Sequence, residues 1–253
     1  MFFDTHAHYD DDRFSPDRDA LVASLPENGV TLVINAGSSE ASSQISLELS
    51  DRFPFVYATV GVHPHDAKEM DEGSLSRLEA MLRHPKAVAV GEIGLDYHYD
   101  FSPREVQKQR FYDQMALARQ LKKPVVIHSR EATADTLDIV RAFPDVTGVF
   151  HCYSGSWETA REILDRGWYL SFGGAITFKN ARRACKVVQK MPLERLLLET
   201  DCPYMAPEPH RGRRNSSLYL PLIAKKAAEL KGLSIEEIAE KTTENGQRLF
   251  GIR

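Results

Sequence analysis

Short apolar runs alternate with longer amphipathic stretches along the chain. Apolar runs of four to eight residues bounded by turn residues predict strands, and apolar positions three and four apart predict helices. The strands expected on this basis are Phe2–Thr5, Thr31–Asn35, Val56–Val60, Ala87–Glu92, Pro124–His128, Gly148–His151, Tyr169–Phe172 and Arg195–Thr200. Between them, Ser102-Pro103-Arg104-Glu105 has a serine N-cap, proline at the first helical position and a following acid, and opens a helix to about Gln120. Ser156-Trp157-Glu158-Thr159 opens another, which closes near Gly167, and Ser234–Phe250 reads as a further C-terminal helix with Glu236 and Glu237 in its first turn. Strands alternating with helices predict a parallel sheet. Eight such units in 253 residues predict an α/β fold, a closed (β/α)8 TIM barrel with an extra C-terminal helix, as one domain over residues 1–253.

Composition narrows this picture in three ways. No apolar stretch approaches the roughly 18 residues of a membrane helix, and Asp4, His6 and His8 stand where a signal peptide needs a basic and then an apolar run. Cys152, Cys185 and Cys202 are odd in number and have no paired spacing, which suits reduced thiols and predicts a cytoplasmic protein. A formal net charge of −4 excludes a surface coated in positive charge for nucleic acid, but not a local anion site built on bound metal.

The candidate chemistry lies where the strands end. The first strand runs into His6 and His8, the fourth into Glu92, the fifth into His128, the sixth into His151 and the eighth into Asp201. Residues two apart on a strand share a face, so His6 and His8 can aim at one point. Barrel enzymes build their sites from strand C-termini, and here six metal-ligating residues fall on five such ends. The same alternation gives Leu197, Glu199 and Asp201 one face and Cys202 the other, and sets His151 with Val149 while Cys152 points away. The cysteines then pack against the helices and bind no metal. Glu199 stands one layer below Asp201, and Asp4 below His6; each either supports a ligand from behind or is a buried acid paired for structure.

Four imidazoles and two carboxylates exceed the needs of one tetrahedral zinc and suit two ions with one carboxylate shared. Two-metal sites, with ions about 4 Å apart, hydrolyse phosphate esters and amides. Two divalent cations, two carboxylates and a hydroxide leave about +1, which attracts a phosphodiester. On the same rim, His63 in Gly61-Val62-His63-Pro64-His65 is a candidate for holding a phosphate oxygen, the alternative being an ordinary loop histidine, which suits His65 better. In His210-Arg211-Gly212-Arg213-Arg214, Arg211 and Arg213 either grip substrate phosphates or form a solvated face. Arg130 and Tyr153 follow His128 and His151 closely enough to reach substrate, whereas His84 and His98 have no such position.

The chain resembles the TatD family of metal-dependent hydrolases, within the amidohydrolase-like barrels. The resemblance runs end to end, through Phe3-Asp4-Thr5-His6-Ala7-His8, Gly61-Val62-His63-Pro64, Gly91-Glu92-Ile93-Gly94-Leu95-Asp96-Tyr97, His128-Ser129-Arg130, His151-Cys152-Tyr153-Ser154-Gly155, Glu199-Thr200-Asp201-Cys202-Pro203-Tyr204 and a tail of Thr243, Asn245 and Arg248-Leu249-Phe250. It implies a (β/α)8 deoxyribonuclease, often a 3′→5′ exonuclease, that needs divalent metal. It also implies that His6, His8 and Asp201 hold one ion, that His128 and His151 hold a second, and that Glu92 bridges them. Asp201 would then deprotonate the attacking water as general base. The ions expected are two of Mg, Mn or Zn; imidazole ligands favour the transition metals, while the family is commonly described as magnesium-dependent. One departure is Asn215-Ser216-Ser217, where family members often carry Asn-Glu-Pro. The proline that would start a helix is absent, and serine is expected to cap instead.

The expected partner is a nucleic acid substrate, DNA with RNA ends as a second candidate, acted on by a monomer away from any membrane. Two other classes compete. One is ester or amide hydrolysis on a small molecule or aminoacyl-tRNA, but many amide-cleaving relatives bridge their metals with a carboxylated lysine, and Glu92 fills that place. The other is a non-catalytic binding module, which has no need of a complete ligand set.

Overall fold

The computed structural model of the chain describes residues 1–252. The eight strands are β1 (Phe2–Ala7), β2 (Val30–Ala36), β3 (Val56–Val60), β4 (Ala87–Asp96), β5 (Val125–Arg130), β6 (Gly148–Phe150), β7 (Tyr169–Phe172) and β8 (Leu196–Leu198). The nine α-helices among the described residues are α1 (Arg18–Ser24), α2 (Glu40–Arg52), α3 (Ser74–Leu82), α4 (Arg104–Leu121), α5 (Thr133–Arg141), α6 (Trp157–Asp165), α7 (Arg182–Lys190), α8 (Leu220–Lys231) and α9 (Ile235–Phe250). The strands form one sheet in chain order, and the fold is the (β/α)8 barrel with α9 as the extra C-terminal helix. No helix among the described residues is long and apolar enough to cross a membrane.

Two compact units make up the chain. The first comprises Met1–Asn35, Phe53–Val56 and the stretch from His151 onward; the second comprises Ala36–Arg52 and Tyr57–Phe150. In the first, Ala7 of β1 pairs in parallel with Cys202, and β7 pairs with β8 from Leu170–Leu196 to Phe172–Leu198. Helix α9 opens with a capping box at Ser234: its hydroxyl accepts from Glu237 N while the Glu237 side chain accepts from the Ser234 backbone. Buried Asn245 then donates to Leu193 O at 2.7 Å and Leu196 O at 2.9 Å, which ties the helix to the start of β8. Ser156 caps α6 by accepting from Thr159 N, as the sequence predicts.

In the second unit all ten residues of β4 are buried. A strand covered on both faces reads as a continuous apolar run, which explains why Ala87–Val90 is so plain in the sequence. The expected end at Glu92 is wrong: β4 continues to Asp96, pairing Gly94 with His128, Leu95 with Ser129 and Asp96 with Arg130. Gly94 makes the continuation possible. Its φ is +143°, and a Cβ there would collide with the His128 carbonyl oxygen, so the strand runs past β5 only where no side chain intervenes. Gly94→Ala is therefore expected to cost about 3 kcal/mol or more, lowering Tm by about 6–12 °C; an unchanged calorimetric Tm would contradict the close approach.

Two capping expectations also fail. Pro103, not Ser102, stands at the N-cap of α4, without a side-chain cap bond. Ser102 is buried, and its hydroxyl is engaged elsewhere, donating to His65 O at 2.8 Å and accepting from Lys68 N at 3.1 Å. Ser216 likewise makes no side-chain cap bond. Its neighbour Ser217 turns inward and donates to Asp4 Oδ2 at 2.6 Å.

Candidate metal centre

His6 lies on β1 and His8 directly follows it. Their Nε2 atoms lie 3.1 Å apart, and Asp201 Oδ1 lies 3.5 Å from His8 Nε2 and 3.9 Å from His6 Nε2. The strand-parity argument for Asp201 does not hold, because β8 stops at Leu198 and Asp201 adopts a left-handed φ of +54°. Backbone pairing positions it instead: Asp201 N donates to His6 O at 2.9 Å, and His8 N donates to Cys202 O at 2.7 Å. Burial alone would raise the Asp201 carboxyl; the hydrogen bond with His8 and the neighbouring His151 and His6 rings outweigh it and hold the group below its ordinary value. It is therefore a carboxylate at neutral pH.

His151 follows β6 directly, and its ring stacks on that of His6, centroids 4.0 Å apart and 12° from parallel. The fully buried Glu199 lies beside it. Glu199 Oε1 lies 3.5 Å from His151 Nδ1 and accepts from Cys152 N at 2.7 Å, while Oε2 accepts from the Ser171 hydroxyl at 2.6 Å. Ligand atoms of His6, His151 and Glu199 all fall within 4.8 Å of one another. Asp4 is paired for structure. It accepts from Thr200 N at 2.9 Å, Thr200 Oγ1 at 2.6 Å and Ser217 Oγ at 2.6 Å, fastening β1 to the segments after β8. Burial pushes its carboxyl up to about 7, against the pull of those hydrogen bonds. Cys202 is buried, and Cys152 and Cys185 are partly buried.

The second unit holds its own cluster. Glu92, 3 % exposed, sets Oε1 at 3.0 Å from His128 Nδ1 and 3.5 Å from His63 Nε2. Ligand atoms of His63, Glu92 and His128 lie within 4.8 Å of one another. Within this group the histidines differ. His63 Nδ1 accepts from His65 N at 3.2 Å, so the neutral ring carries its proton on Nε2, and a ring in that tautomer donates there. His128 meets Glu92 through Nδ1 and turns Nε2 toward Asp96 Oδ2 at 3.1 Å.

Asp96, assigned no role from the sequence, lies beside this group. The same Oδ2 also meets His65 Nε2 at 3.1 Å, and Oδ1 accepts from His98 N at 3.0 Å and Tyr99 N at 2.9 Å. Burial would raise this carboxyl, but the bonds from His128 and Tyr99 N win and hold it well below the usual carboxylate range. Its signal was parity, since Glu92, Gly94 and Asp96 share a face once β4 is long enough. A carboxylate behind a ligating imidazole fixes its orientation and tautomer. Asp96→Asn is expected to weaken metal affinity by about 10–100-fold, measured by competition with a chromophoric chelator; an unchanged affinity would reduce Asp96 to a loop tether.

The remaining candidates separate. Arg130 ends β5, exposed, with its guanidinium 4.8 Å from the Tyr99 ring centroid. Arg211 is exposed and lies 4.5 Å over Phe178, and Arg213 is exposed. Tyr153 is buried, its hydroxyl donates to Ser156 O at 2.8 Å, and its ring packs against Phe172. In the basic run, Arg214 is tied to Asp17 at 2.7 and 2.6 Å.

A (β/α)8 barrel whose strand ends carry imidazole–carboxylate clusters defines a metal-dependent hydrolase. The model of the TatD related DNase family matches residues 3–251, and the chain belongs to that family. It is 42 % identical to the metal-dependent hydrolase YabD of Bacillus subtilis strain 168, with all of both chains covered. It is 34 % identical to the 3′-5′ ssDNA/RNA exonuclease TatD of Cronobacter sakazakii, over 98 % of this chain and 97 % of that one. The crystal structure of YJJV, a TatD homologue from Escherichia coli K12, superposes with a TM-score of 0.94 at 31 % identity, covering 100 % of this chain and 98 % of that one.

Proposed function

We propose that the protein is a divalent-metal-dependent phosphodiesterase acting on nucleic acid ends, a 3′→5′ exonuclease on single-stranded DNA and RNA, with the whole chain as one hydrolase domain. The observation that carries this reading is the pair of clusters, His6–His8–Asp201 with His151, and Glu92–His128 with His63 beside them, built from imidazoles and carboxylates of the type that divalent ions bind. Relatives named for exonuclease activity on ssDNA and RNA support the substrate class.

In this reading His6, His8 and Asp201 hold one ion, His128 and His151 the other, and Glu92 serves both. When bound, the ions would acidify a water and offset charge on the phosphate oxygens. Asp201, kept as a carboxylate, takes the proton of the attacking water. His63 presents Nε2–H to a phosphate oxygen, the role its tautomer fits. Asp96 holds the His128 ring from behind, and Glu199 lies beside His151. Arg130, Arg211 and Arg213 offer positive charge to flanking phosphates.

The test is a panel of end-labelled single-stranded DNA, RNA and simple phosphodiesters, given to chelator-treated protein reloaded with Mg²⁺, Mn²⁺ or Zn²⁺. The expected result is stepwise release of 5′-mononucleotides from the 3′ end, only with metal. Hydrolysis of esters or amides with no phosphodiester cleavage under any metal would overturn the reading.

A further inference from the structure

Beyond Asp96 the chain turns out to solvent and exposes two aromatic rings. Tyr99 is 48 % and Phe101 56 % exposed. Their rings stack on each other, centroids 5.2 Å apart and planes 21° from parallel. The Arg130 guanidinium lies over Tyr99 at 4.8 Å from its centroid, and among the described residues no carboxylate pairs with it. The His65 ring meets Phe101 edge-on at 4.8 Å and Tyr99 at 5.4 Å. Scattered exposed aromatics are ordinary. This pair is distinguished by its surroundings: Tyr99 N donates to Asp96 Oδ1 at 2.9 Å, and Asp96 Oδ2 lies 3.1 Å from His128 Nε2. A single carboxylate thus joins the aromatic pair to the candidate metal ligand.

We propose that Tyr99 and Phe101 form a stacking platform for an unpaired nucleobase of the substrate, with Arg130 taking the backbone phosphate next to that base. The proposal rests on the phosphodiesterase reading and adds the part of the substrate that the metal cluster does not hold. Flat rings flanked by a cation without a counter-ion match a nucleotide, which offers a π-face and an anion side by side. Every base has such a face, so the platform tolerates sequence, whereas a base inside a duplex has its faces covered by its neighbours. The platform therefore selects single strands over duplexes and base-bearing strands over abasic ones.

The test compares two fluorescently labelled ten-residue strands with phosphorothioate linkages, which resist cleavage. One is oligothymidine and the other is abasic, and each is titrated with metal-loaded full-length protein by anisotropy. Stacking of one base is worth about 1–3 kcal/mol, so the wild type should bind the base-bearing strand at least about fivefold tighter. The Tyr99→Ala/Phe101→Ala double variant should bring that ratio below about threefold, and Phe101→Trp should keep it. Equal binding of the two strands by the wild type, or a ratio retained in the double variant, overturns the platform. Cleavage of the same oligothymidine with ordinary phosphodiester linkages is measured on the same preparation. Its absence alongside a base preference that the double variant loses supports the platform and overturns the phosphodiesterase reading; its presence without a base preference overturns the platform alone.

Discussion

Asp201→Asn lowers the turnover of phosphodiester cleavage by about 10²–10⁴-fold, the range set by a positioned general base, and leaves strand binding within a few-fold. The amide keeps the shape and the backbone bonds, Asp201 N to His6 O and His8 N to Cys202 O, that hold this segment against β1. What it loses is the ability to accept a proton, together with the negative charge it would offer an ion. The native group is suited to that task because His8 and the nearby imidazoles keep it ionised despite its burial. Single-turnover cleavage and anisotropy on one preparation check the expectation. Unchanged cleavage would remove Asp201 from the chemistry, while loss of binding together with turnover would make it a structural residue.

Glu92→Ala is expected to have the second large effect. Glu92 is 3 % exposed, and its Oε1 meets both His128 and His63. Removing it takes the negative charge from between two imidazoles and, in the two-metal reading, a ligand from each ion. Bound metal should fall from two ions per chain to one or fewer, with cleavage reduced by more than the about 10–100-fold expected for a residue behind the ligands, such as Asp96. Glu92→Gln separates charge from volume, since it preserves the packing and should lose metal in the same way. Two ions retained in Glu92→Ala, measured by elemental analysis after gel filtration, would rule out the bridging role.

The barrel was legible because its strands are buried on both faces and stand out as apolar runs; Val56–Val60 and Tyr169–Phe172 coincide with the observed strands. The strand ends were less legible, and the site is built there. Glycine reads as a strand breaker, yet Gly94 lets β4 run on to Asp96, so the sequence reading stopped short of the carboxylate that orients His128. At the other extreme, β8 ends at Leu198, and Asp201 reaches His8 from a left-handed turn that no alternation rule describes. Polar groups with several possible partners misled in the same manner. Ser102 and Ser217 look like caps, but both are buried and bond to distant segments. Histidine identity and position were readable one residue at a time; their grouping came from backbone pairings far apart in the chain.

The central claim is that the strand-end histidines and carboxylates bind two divalent ions and that cleavage depends on both. Metal-stripped protein titrated with Mn²⁺, with bound ions per chain and release of nucleotides from single-stranded DNA followed together, tests it most directly. Two ions should bind at saturation, with cleavage rising as the second site fills. Full cleavage by protein holding no divalent ion, or saturation of both signals at a single ion, would contradict the account.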